Sequence, residues 1–181
     1  MGKRIKVQRR GRGSPTFRAP KRLKKGEIKH PSRTVSQDQP LKGKIIDFMH
    51  ESGRSAPLAR IQYMNGVKSL MIAPEGVAIG KEIMIGKSSG IAIGNTLPLE
   101  DIPEGTYVYN IESQPGDGGK FVRAGGTYAT IVTRDSKKVS VKMPSGKSKN
   151  FKPECRATIG IVSGAGHVEK PFVKAGNRFY L

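Results

Sequence analysis

Apolar residues in this chain fall in short runs interrupted every few positions by glycine, proline or asparagine, and 106–112 alternates aromatic and β-branched residues. Short runs between so many turn residues mark β-strands rather than helices. The first run, 41–49, carries Ile45, Ile46, Phe48 and Met49 and reads as a strand. Runs 58–64 and 67–72 flank Asn65-Gly66, which predicts a hairpin with a type I′ turn and positive φ at both turn residues. A further short strand is expected at 82–85 between Gly80 and Gly86, and 90–94 reads as a closing edge or turn. Four or five short strands without a helix suit a small antiparallel barrel of OB type.

The segment 97–103, Leu-Pro-Leu-Glu-Asp-Ile-Pro, is rich in proline and reads as a linker. A second strand set follows, at 106–112, 128–133, 138–143, 147–151 and 157–162, with turns at 134–137 and 144–146. Five strands of this length form a second barrel of SH3-like size. The sequence therefore predicts an all-β protein: a basic irregular N-terminal arm (1–35), an OB-like barrel (36–103) and an SH3-like barrel (104–181). Helix should be minimal, and no repeat relates the two halves.

Composition sharpens this picture. With 35% apolar residues, 23 Gly, 12 Pro and no Trp, the 181-residue chain supports modest cores and many turns. Its net charge of +19 is more than solubility requires, and self-repulsion of that size disfavours a compact state unless a polyanion neutralises it. Nucleic acid is the first partner to consider, because each neutralised phosphate releases counterions. A membrane fits less well: no amphipathic basic helix is visible and no apolar run nears the roughly 20 residues of a spanning helix. Lys and Arg interrupt the early apolar stretches, so no secretory signal is expected. The single Cys155 excludes an internal disulfide and the usual zinc clusters, and fits a reducing cytosol.

Residues 1–34 set thirteen Lys and Arg, among them Arg9, Arg10, Arg12 and Arg18, against the single acid Glu27. With almost no large apolar residues, such an arm is expected to be disordered alone and to fold against a polyanion. Arginine grips phosphate bidentately and stacks on bases, which makes these four the leading contacts. From about Val35 the composition changes abruptly, with Pro40 at the boundary.

The densest candidate site lies at 115–127, where Pro-Gly-Asp-Gly-Gly precedes Lys-Phe-Val-Arg-Ala-Gly-Gly-Thr. Lys120 and Arg123 sit among five glycines with one acid, Asp117. Glycine lets backbone approach a partner closely, and the partner could be a nucleotide phosphate, an acidic protein or a polynucleotide. A P-loop is excluded by spacing: before Gly86-Lys87-Ser88 and Gly146-Lys147-Ser148 the first glycine is replaced by Lys81 and Val141, and Gly119-Lys120 runs into Phe121. His30, His50 and His167 stand in separate segments without a companion nucleophile motif, so no catalytic residue is assigned. Arg156 could lower the thiol pKa of Cys155. Met49, Met64, Met71, Met84 and Met143 read as core.

Arg54, in the turn Gly-Arg-Ser-Ala-Pro, can reach outward between small residues, and Arg156, beside the last apolar strand, reads as a guanidinium aimed from a rigid edge. Lys170, Lys174 and Arg178 interleave with Phe172 and Phe179 in a closing basic and aromatic strip suited to phosphate contact and stacking, or to a hydrophobic plug with solvated lysines. Alanine at Arg54 or Arg156 is expected to weaken RNA binding and leave unfolding nearly unchanged. The acids form no cluster for a metal, and no cofactor or small-molecule substrate is expected. A nucleic-acid chaperone or DNA-compacting protein would use the same cations.

One set of ordered motifs goes further. Arg9-Arg10-Gly11-Arg12-Gly13, Phe17-Arg18-Ala19-Pro20, Arg54-Ser55-Ala56-Pro57 and Ala73-Pro74-Glu75-Gly76 precede Gly94-Asn95-Thr96-Leu97-Pro98-Leu99 and Pro115-Gly116-Asp117-Gly118-Gly119. Arg123-Ala124-Gly125-Gly126-Thr127, Cys155-Arg156-Ala157-Thr158-Ile159-Gly160 and Lys174-Ala175-Gly176-Asn177 complete the series. Over essentially its whole length the chain resembles the L2 family of large ribosomal subunit proteins in its archaeal and eukaryotic form. The resemblance implies OB-like and SH3-like barrels packed on large-subunit rRNA beside neighbouring ribosomal proteins, in cytoplasmic ribosomes. It implies a part in subunit assembly, subunit association and support of the peptidyl transferase region, whose catalyst is RNA. It also implies rRNA contact by Arg54 and Arg156. Members continue into a long basic C-terminal extension with a histidine-containing segment; this chain ends at Leu181, so no residue is assigned that histidine's part.

Overall fold

The computed structural model of the protein describes residues 2–3, 5–10, 24–32, 40–166 and 169–180. Ten strands dominate: β1 (Leu41–Met49), β2 (Leu58–Tyr63), β3 (Lys68–Ile72), β4 (Glu82–Ile85), β5 (Thr96–Pro98), β6 (Tyr107–Tyr109), β7 (Ala129–Arg134), β8 (Val139–Lys142), β9 (Ser148–Phe151) and β10 (Arg156–Ile159). Two short helices, α1 (Lys6–Arg10) and α2 (Ala175–Tyr180), lie towards the ends. The strands hydrogen-bond in the order β3-β2-β1-β4-β5-β10-β6-β7-β8-β9, antiparallel except for one parallel contact, Ile85 with Thr96, that joins the halves. The all-β expectation of an OB-like unit followed by an SH3-like unit agrees with this architecture.

Curvature comes from two bulges. The register slips between Ile45 and Asp47 in β1 and between Ile131 and Thr133 in β7. An extra residue on one strand bends it and raises its twist, which closes small barrels. The bulged residues turn outward, leaving Ile46 and Val132 among the exposed apolar side chains.

The hairpin between β2 and β3 differs from a type I′ turn. Asn65 is not among the described non-glycine residues with positive φ; Gly66 alone takes φ 79°. Gly66 N–H donates to Tyr63 O and Tyr63 N–H to Val67 O, so three residues, Met64-Asn65-Gly66, form the loop with glycine in the left-handed position. The Asn65 side chain accepts from Val67 N–H, which stabilises this longer loop over a two-residue turn. Met64 consequently stands 85% exposed at the tip and is not core.

The segment 97–103 is not a linker. Leu97 lies in β5, which pairs with β10, while Leu99–Asp101 forms a 3-10 turn. Leu97, Leu99 and Ile102 are buried in the core of the second half with Val108, Ile131 and Val141. Thr96 and Thr158 hydroxyls, 2.9 Å apart and buried, tie β5 to β10. Proline is tolerated there because Pro98 is the last residue of β5 and the neighbouring β4 pairs with β5 only at Thr96, which leaves an effective edge at Pro98.

The first half packs Ile45, Ile61, Tyr63 and Ile83 into its own core. A third core joins Ile28 of the arm to Leu58 and Ile72 of the first half and Tyr109 and Val162 of the second. The Tyr109 hydroxyl donates to Ile72 O at 3.0 Å within it. Part of the arm is thus integral to the fold: residues 24–32 run without regular secondary structure along the seam, and Ile28 is 3% exposed. Burying that side chain contributes about 1.5–3 kcal/mol, which corrects the expectation of an arm with nothing to pack.

Candidate nucleic-acid interface

The loop following β6 is shaped by two carboxylates. Glu112, fully buried, accepts Gly116 N–H and Gly118 N–H, each at 3.2 Å, along with three donors from Arg156. Asp117 accepts Ser113, Gln114 and Gly119 N–H and pairs with Lys120 at 3.2 Å. Short acidic side chains stabilise such turns by supplying acceptors to consecutive amides. Asp117 is held below the usual carboxylate range: burial raises it, but the amide hydrogen bonds and Lys120 outweigh burial.

The glycines of this loop allow close approach, but to protein. A Cβ on Gly119, whose φ is 94°, would come within 2.4 Å of Asn110 Oδ1, and one on Gly125 within 2.9 Å of Ser55 O. The 116–127 loop therefore lies directly against the β1–β2 loop and the end of β6. Val122 takes a left-handed φ of 55°, unusual for a β-branched residue and costing about 1–3 kcal/mol. Asn110 N–H donates to Val122 O at 2.8 Å and the side chain packs against two cores, which offsets that strain. The resulting turn directs Arg123 back toward the arm.

Arg123 donates from Nη1 to Gly119 O at 2.9 Å and from Nη2 to Ile28 O at 3.0 Å, while its buried Nε has no partner. Burial and the neighbouring charge of Arg54 depress its pKa. Arg54 pairs through Nε with buried Glu51, whose other oxygen accepts Lys25 N–H at 2.9 Å. The result is a groove of about 420 Å³ whose charged lining is five cations, Lys24, Lys29, Arg54, Lys120 and Arg123, and two acids, Asp117 and Glu27, the latter paired with Lys29 at 2.6 Å. Two guanidiniums close enough to repel create a favourable place for an anion with several oxygens.

Arg156 is elsewhere. It is 3% exposed, donates from Nη2 to Glu112 at 2.8 Å and from Nη1 to Pro31 O at 2.7 Å. Its guanidinium is not aimed outward, because a buried carboxylate and an arm carbonyl hold it behind the groove. The expectation that its removal leaves unfolding unchanged is accordingly overturned, since Glu112 would be left buried and unpaired. Glu112 itself sits below its ordinary range: burial raises it, but hydrogen bonds and charge from Arg156 prevail. Burial pushes the Cys155 thiol up to about 11, so the expected activation by Arg156 is absent. His30 N–H donates to Gly118 O at 3.0 Å and its Nε2 lies 2.8 Å from Asn110 O. Burial, opposed by that carbonyl and assisted by Arg156, lowers its pKa to about 4.

Of the residues selected from sequence, Arg54, Lys120 and Arg123 come together. Lys174 is exposed just before α2 and is not among the groove-lining residues. Arg9 and Arg10 lie on α1 and Arg178 on α2, whereas Arg12 and Arg18 fall outside the described residues. Sequence reading missed Lys24 and Lys29 as groove walls and Glu51 and Glu112 as their organisers. The available signal was a lone glutamate ending an alternating apolar strand in a chain otherwise poor in acids. Among the described residues no three His, Cys, Asp or Glu cluster to hold a metal, and no helix is long and apolar enough to cross a membrane.

Two family models match the chain: Ribosomal Proteins L2, RNA binding N-terminal domain, over residues 1–85, and Ribosomal Proteins L2, C-terminal domain, over 92–181. Three curated relatives, each named large ribosomal subunit protein uL2, align with 99% of this chain. They come from Natronomonas pharaonis (53% identical, 73% of the relative covered), Haloarcula marismortui (51%, 74% covered) and Methanothermobacter thermautotrophicus (48%, 75% covered).

Proposed function

This chain belongs to the L2 family of ribosomal proteins, and on that premise we propose that it is a structural constituent of the large ribosomal subunit that binds large-subunit rRNA. It is not an enzyme; its chemistry is charge neutralisation and shape. The observation that carries the reading is the groove in which Arg54 and Arg123 converge with Lys24, Lys29 and Lys120. A backbone phosphate placed there relieves the mutual repulsion of the two guanidiniums. Recognition of this kind reads folded RNA through backbone and shape. The N-terminal cations Arg9, Arg10, Arg12 and Arg18, together with Lys174 and Arg178, extend the contact, in cytoplasmic ribosomes and beside other ribosomal proteins. Arg156 serves the interface from behind, by holding the arm. The family resemblance supports extending this role to assembly and association of subunits and to support of the peptidyl transferase region.

The test is co-sedimentation. The protein stays with large subunits at moderate salt, and binding to protein-free large-subunit rRNA weakens steeply as salt rises. Recovery chiefly as a free protein with salt-indifferent RNA binding would contradict the reading.

A further inference from the structure

We infer that Glu112, an acid that touches no part of the groove surface, is the positioning residue on which both walls of the basic groove depend. The inference rests on the groove being the RNA site. One wall is the 116–123 loop with Lys120 and Arg123; the other is arm segment 24–29 with Lys24 and Lys29. Glu112 holds the first wall directly, through Gly116 and Gly118 N–H. It holds the second through Arg156, whose Nη1 reaches Pro31 O, and through Gly118, whose carbonyl accepts His30 N–H. No other described side chain receives hydrogen bonds from that loop and also orients a donor to the arm. Remove the carboxylate and Gly116 and Gly118 lose their acceptor, Arg156 loses its orientation, and the lysines of the two walls no longer face one site.

Glu112→Met/Arg156→Met in the full chain removes the pair without leaving an uncompensated buried charge, a replacement that folded proteins often tolerate. The folded double variant is expected to bind protein-free large-subunit rRNA at least about tenfold more weakly at low salt. Its log-affinity against log-salt slope should be shallower by about two, as Lys120 and Arg123 cease to neutralise phosphates. The His30 amide should exchange with solvent faster. A purely architectural Glu112 would lower the unfolding midpoint without moving the slope. A folded double variant with the parent's affinity and slope therefore overturns the inference. If that variant does not fold, Glu112→Gln assayed below its unfolding midpoint decides between the same outcomes: a shallower slope supports the positioning role, and the parent's slope overturns it. Lys120→Ala/Arg123→Ala serves as the reference. If it too leaves the slope unchanged, the groove reading fails; if it lowers the slope while the Glu112 variants do not, only the positioning role fails.

Discussion

In the seam, Arg156 is 3% exposed and locked to Glu112 and Pro31, whereas the β7–β9 hairpins carry Lys137, Lys138, Lys142, Lys147 and Lys149 in solvent. Between 134 and 150 the sequence offers only Asp135 as an acid, and none of the five forms an ion pair among the described residues. Lys149 lies 3.9 Å from the centre of the Phe121 ring instead. Equal charge in a sequence therefore covers two physical states. A seam cation is held by desolvated partners and its loss is a folding event. A hairpin cation is hydrated, loses little by substitution and remains available to a polyanion.

The largest effect that distinguishes the two regions is expected from Arg156→Ala, which strands a buried carboxylate and should cost about 3–5 kcal/mol in urea unfolding. Loss of less than about 1 kcal/mol would show that the seam pair is no more important than a surface pair. Next, Ile28→Ala should cost about 2–4 kcal/mol, because the side chain fills a core shared by the arm and both halves. An arm that merely lies on the surface would tolerate the change.

Acid should loosen the seam before the hairpin. His30 titrates near 4 in the fold against an ordinary value of 6.5, so the unfolded chain binds more protons between those values. Its contribution is complete above about pH 6.5 and is lost as pH falls toward 4, a decline of roughly 3 kcal/mol. The groups facing it are Arg156, Glu112 and Arg123. Glu112, whose pKa burial raises but Arg156 brings below its ordinary value, likewise contributes stability that is lost as pH falls below the usual carboxylate range. Stability measured from pH 7 to 4 in the parent and in His30→Asn should diverge; parallel curves would remove His30 from the account. The smallest effect belongs to Lys137→Ala and Lys147→Ala, which should leave the unfolding midpoint unchanged.

The same contrast explains what could be read from residues alone. Strand positions were legible where a short apolar run is bounded by turn residues, as at 41–49 and 82–85, whose bounds β1 and β4 match. Segment 97–103 was misread because its prolines mask three core side chains, Leu97, Leu99 and Ile102, brought to β10 by pairing distant in sequence. Lys120, Arg123 and Arg54 were recognisable as basic residues in small-residue loops. Burial of Arg156 was not, because its partner Glu112 lies 44 positions away and local sequence carries no trace of their pairing. The glycines at 116–126 signalled close approach correctly but not what is approached: Ser55 and Asn110 rather than an external anion.

The central claim is that Arg54, Lys120 and Arg123 form one phosphate-neutralising groove. Its most direct test is the salt dependence of binding to protein-free large-subunit rRNA for the parent chain and for Arg54→Ala/Lys120→Ala/Arg123→Ala. The account predicts a log–log slope shallower by about two to three in the triple variant; an unchanged slope in a folded triple variant would contradict it.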